Sequence, residues 1–130
     1  MGMYTDFCFD AIIRSDVPAN VVTVLCQMRD FDRNKSLEKI LPDHPFFRCD
    51  RWAQIGHCCS AYFPAEPRFI FEKRSFGNDY VLNLRCNLKN YDNEIERFID
   101  WVKPYVDAGP GEFLGFYRYE EAAHPTLVYM

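Results

Sequence analysis

No apolar run in these 130 residues approaches the length of a membrane span, about 18 residues, so no membrane partner is expected. The opening residues, Met-Gly-Met-Tyr-Thr-Asp-Phe, have no basic segment ahead of an apolar stretch. No export signal is read there, and a cytoplasmic setting is the expectation. Glycine is scarce, with 6 in all, and neither Gly-x4-Gly-Lys-Ser/Thr nor Gly-x-Gly-x-x-Gly occurs. Gly109, Gly111 and Gly115 are loosely spaced and follow a helical pattern instead of opening one. That counts against the common kinds of nucleotide-dependent enzyme. Positive charge is also short: 15 Lys and Arg face 19 Asp and Glu, for a net charge of −4. Affinity for phosphate comes largely from counterions released by Lys and Arg. A dedicated nucleic-acid binder is therefore disfavoured.

Aromatic side chains, by contrast, are plentiful, with 12 Phe and 8 Tyr, and most of them are expected in a core. The length suits one domain, residues 1–130, large enough to need no disulfide staples. Six cysteines without an export signal read as reduced thiols. No cofactor is implied.

Residues 80–89 alternate almost without fault. Tyr80, Leu82, Leu84, Cys86 and Leu88 point one way; Val81, Asn83, Arg85, Asn87 and Lys89 point the other. A period of two is a strand with one buried and one wet face. A helical stripe follows in Ile95, Phe98, Ile99, Val102 and Val106. Asn93 and Glu96 have capping-box spacing, and Pro104 predicts a kink or frayed end. Residues 4–14 give a first strand. Ser15 or Asp16 then caps a helix with Pro18 in its first turn and Val21, Val22, Leu25 and Met28 as its buried stripe. Residues 30–43 are polar and irregular, with a turn near 37–41, and are the best candidate for a mobile loop. Strands are expected at 57–63 and 68–76, around the turn Pro64-Ala65-Glu66-Pro67, and again at 112–120 and 125–130, the last as an edge. The order is β-α-β-β-β-α-β-β. It describes an α+β domain in which two helices cover one face of a single antiparallel sheet, with a ferredoxin-like relationship as one option whose simplest form the extra strands do not match.

Four constellations could carry chemistry. His44, Cys49, His57, Cys58 and Cys59 include metal-ligand types but no Cys-x2-4-Cys knuckle, so buried structural thiols are the better reading and no metal is expected. His57 and Cys59 lie two apart, a conceivable base and nucleophile, but in a mid-sheet strand the thiol is buried and inert. Asp6 with Asp10, and Glu120 with Glu121, read as solvated acids. Arg68, Phe69, Phe71, Lys73, Arg74 and Phe76, like Phe116, Tyr117, Arg118 and Tyr119, resemble a stacking surface for single-stranded nucleic acid but lack the RNA-binding signature. No catalytic residue is assigned. The C-terminal strands are apolar on both faces, and Phe116, Tyr117, Tyr119 and Tyr129 are the candidate interface for a protein partner or a second copy.

The run Glu-Arg-Phe-Ile-Asp-Trp-Val-Lys-Pro-Tyr (96–105), with Gly-Glu-Phe-Leu-Gly-Phe-Tyr-Arg-Tyr-Glu-Glu (111–121) and Pro-Thr-Leu (125–127), resembles small uncharacterised proteins carried by bacteria and their phages. The resemblance implies a microbial or mobile-element accessory protein that binds another macromolecule. The expected function is thus non-enzymatic binding or regulation. A small hydrolase or transferase using the Cys/His pair or paired carboxylates is the first alternative, and a single-strand binder the second.

Overall fold

A computed structural model describes residues 3–30 and 41–130 of the chain. The loop read over 30–43, with its turn at 37–41, lies largely outside the described residues. Strand β1 (Thr5–Ile13) leads to helix α1 (Ala19–Arg29), and strands β2 (Arg68–Lys73) and β3 (Tyr80–Leu88) form a hairpin. Helix α2 (Glu94–Val102) follows, then β4 (Phe113–Tyr119) and β5 (Thr126–Tyr129). The sheet is antiparallel throughout, in the order β2-β3-β1-β4-β5. Through β4 this is the split β-α-β arrangement of a ferredoxin-like sheet; β5 is an added edge strand.

Alternation decides which face is covered. Phe7, Phe9, Ala11 and Ile13 of β1, with Leu82, Leu84, Cys86 and Leu88 of β3, are buried beneath the helices. Helix α1 buries Val21, Val24, Leu25 and Met28, and α2 buries Ile95, Phe98, Trp101 and Val102. The Phe98 ring meets Phe7 and Phe9 edge-on, at 6.1 and 6.0 Å between centroids. No helix among the described residues is long and apolar enough to cross a membrane.

Both helix starts differ from the expectation. Pro18 occupies the cap position of α1 and no side chain caps it; Asp16 is held instead by the Arg14 guanidinium at 3.1 Å. Asn93 is left-handed, with φ 58°, and its side chain caps nothing. Asn90 does that work from outside the helix. Its Oδ1 accepts from the Ile95 N–H at 2.8 Å, and its Nδ2 donates to Glu96. At the other end α2 tightens into a 3-10 turn over Lys103–Tyr105, because Pro104 has no N–H to continue the ladder. The Tyr105 carbonyl and the Asp107 N–H then bond to Arg14 and Ile12, tying this end to β1.

The strand expected at 57–63 does not form. Two 3-10 turns, Pro45–Arg48 and Trp52–Gln54, precede irregular chain. β2 already occupies the flank of β3 from Tyr80 to Arg85, leaving room for one ladder bond, from the Asn87 N–H to the Cys58 carbonyl at 2.9 Å. From there the chain crosses the open side of the sheet and seats Phe63 against Arg118. Among the described residues the sheet therefore has five strands, and the three successive strands expected from 57 to 89 are a two-strand hairpin.

Candidate interface at the β4–β5 edge

The face away from the helices is ordered by strand register. Arg68, Arg85, Cys8, Phe116 and Leu127 lie opposite one another in turn, forming one row across all five strands. Asn87, Asp6 and Arg118 form the next row, and residues 58–67 cross above it. The charges here are largely spent on one another. Asp6 accepts from Arg85 Nε and Nη2 at 3.2 and 2.7 Å. The Arg85 guanidinium also sits 5.5 Å over the Phe116 ring, and Arg118 takes the same position over Phe63.

The four candidate interface residues do not form one patch. Phe116 is half-buried on the open face, whereas Tyr117 points to the helix side, where its hydroxyl hydrogen-bonds Thr126. Burial and the nearby Glu96 carboxylate push the Tyr117 hydroxyl above its ordinary pKa. Tyr119 donates its hydroxyl to the Met3 sulfur. Tyr129 packs on Phe113, with ring centroids 5.9 Å apart. Phe113 was not among the expected interface residues. A register shift between Phe113 and Gly115 brings it opposite Tyr129, and sequence alternation carries no sign of that bulge.

Three exposed apolar side chains gather at the β5 edge, Phe113 at 55%, Leu127 at 48% and Tyr129 at 47%, whereas Tyr119, at 37%, lies beyond the β4–β5 ladder opposite Thr5. β5 ends the sheet, and its outer side meets no other strand among the described residues. The opposite edge is guarded. On β2 the Phe71 carbonyl accepts from Arg29 Nη1 at 2.6 Å, and Arg68, Glu72 and Lys73 are exposed along the strand.

The other constellations come apart. The His57 imidazole bonds the Met28 carbonyl and stacks on Phe69, 5.8 Å between centroids. Cys59 lies on exposed irregular chain, not in a buried strand as expected. His44 accepts from the Phe46 N–H through Nδ1, so Nε2 carries the proton toward Asp100, 3.0 Å away. Among the described residues no three His, Cys, Asp or Glu side chains are placed to hold a metal ion. Asp6 is taken by Arg85, Asp10 accepts from Asn83 at 2.8 Å, and Glu120 accepts from the Tyr4 N–H. Phe69 and Phe71 turn into the core, which removes two rings from any stacking surface.

All six cysteines are free, and their surroundings set their reactivities apart. Burial pushes the Cys86 thiol up to about 12, and also raises Cys49, Cys58 and Cys8, the last with help from Asp10. Mass-mapped alkylation near neutral pH is expected to label Cys59 first, with Cys86 slower by at least about a hundredfold until the chain unfolds. Equal labelling of the two would contradict this placement. Comparison of the chain with family models, curated proteins and solved structures gave no match.

Proposed function

We propose that this chain is a non-enzymatic binding or regulatory protein whose partner, another protein or a second copy, docks on the β4–β5 edge. One observation carries the reading: Phe113, Leu127 and Tyr129 are exposed together beside a strand that ends the sheet. An open strand offers a row of N–H and C=O groups to a partner backbone. The neighbouring aromatic side chains add apolar area with few rotamers to freeze. The resemblance of the C-terminal segment to small microbial and phage-borne proteins supports an accessory role, and free thiols suit a cytoplasmic setting.

The test is capture from lysate of the native cell, with nuclease present, read by mass spectrometry. Wild-type protein is expected to retain a stoichiometric partner, and the pair Leu127→Asp with Tyr129→Asp to lose it by about tenfold or more. Both positions are exposed, so the fold tolerates the charge. An unchanged partner list and oligomeric state would reject the reading. Nuclease-sensitive recovery would favour nucleic acid instead.

A further inference from the structure

A groove of 240 Å³ runs between α2 and β5, with Glu96, Ile99, Lys103, Tyr117, Thr126 and Val128 among its walls. Its two ends carry opposite charge. Glu96 lies at the Thr126 end, close enough to Tyr117 to raise that hydroxyl, and Tyr117 pairs with Thr126. Lys103 directly follows α2 and opens the 3-10 turn, toward the Tyr129 end, where Val106 bridges Ile13 of β1. Lys103 has no ion-pair partner among the described residues. Between the two charges the floor is apolar, from Ile99 and Val128.

We infer that this groove takes an extended peptide segment of a partner protein, added antiparallel to β5, with the pattern acidic–x–apolar–x–basic. The inference rests on the binding role proposed above and names the chemistry of its partner. Antiparallel addition continues the sheet's own pattern, so the segment starts at the Tyr129 end and finishes at the Thr126 end. Its first, third and fifth side chains then share the groove side. Three such positions span about 13 Å of strand. The seven residue steps from Glu96 to Lys103 span about 10 Å at helical rise. Long charged side chains close that difference. The acid meets Lys103, the apolar residue covers Ile99 and Val128, and the base meets Glu96. The second and fourth side chains face the open side, beside Leu127.

A suitable probe is the blocked, fluorescein-labelled peptide Ser-Glu-Thr-Val-Thr-Lys-Ser, with its Glu and Lys exchanged as the control. Fluorescence anisotropy is expected to show the control binding at least about tenfold more weakly, the scale of one misplaced charge pair at a half-buried site. Amide shift changes are expected at Ile99, Lys103 and 126–129. Lys103→Glu should shift preference toward a peptide with Lys in both charged positions, and that recovered binding shows the variant is folded. Equal binding of the two peptides, shifts confined to the open face, or no shift at about 1 mM peptide would overturn the inference. So would a concentration-dependent dimer abolished by Leu127→Pro, which removes an outward N–H from β5 and leaves the ladder to β4 intact, because β5 would then be occupied by a second copy. Lysate capture separates the two levels. A partner kept by Lys103→Glu but lost with the Leu127 and Tyr129 variants refutes the groove and leaves the docking edge intact. A partner list unchanged by all of these refutes both.

Discussion

Replacing Phe98 with alanine is expected to destabilise the protein by about 3–5 kcal/mol, the range for emptying a fully buried aromatic site. Its ring is completely buried and joins three parts of the chain. It meets Phe7 and Phe9 on β1, Phe46 in a 3-10 turn at 5.4 Å, and Trp101 on its own helix at 6.1 Å. No single neighbour can relax into the space without losing its contact with another. Domains of this size have about 5–15 kcal/mol in all, so most of the stability would go. Urea unfolding followed by tryptophan fluorescence would measure it, and Phe98→Leu, which keeps much of the volume, should cost far less. A loss below about 1 kcal/mol from the alanine variant would show that this ring is not the junction of sheet and helix.

Gly115→Val has the second largest expected effect, for a different reason. Gly115 lies in β4 opposite Phe9, and a Cβ there would overlap the Cys8 carbonyl and come within 3.0 Å of the Phe9 Cα. Those are backbone atoms, which cannot rotate aside. The strands must separate, at a cost of about 3 kcal/mol, the upper range for overpacking. The pattern of loss distinguishes this variant from Phe98→Ala. β4 holds β5, and both join the sheet only through β1. Hydrogen exchange should therefore lose protection in β4 and β5 first, with β2 and β3 retained. Binding at the β4–β5 edge should fall in parallel. Uniform loss across the sheet, or none, would contradict the role given to Gly115.

Much of this architecture was legible because burial on one side imposes a period. The alternation of 80–89 and the stripe of α2 each identify a buried face from residue type alone. The helix caps were less legible, because Asn90 reaches Ile95 and Glu96 from five and six residues away, outside the spacing of a capping box. The false strand at 57–63 has a similar origin. Its residues do not forbid extension, but β2 had already taken the partner it needed. The candidate interface was half legible. Tyr129 and Tyr119 are exposed as an interface requires, yet Phe116 and Tyr117 fall on opposite faces, and Phe113 enters only through a bulge.

The sequence by itself determined the α+β class, the antiparallel sheet, the covered faces and the absence of common nucleotide-binding loops. These depend on spacing along one chain and on the free energy of removing apolar surface from water. The sequence also placed the last strand at an edge; only the tertiary structure decided the strand order, what lies along each edge among the described residues, and that Glu96 and Lys103 flank a groove beside β5. Those facts depend on which distant segments pair and in what register. Pairing is a choice among competing partners: alternation fixes which face of a strand is buried, but it does not name which distant strand lies beside it.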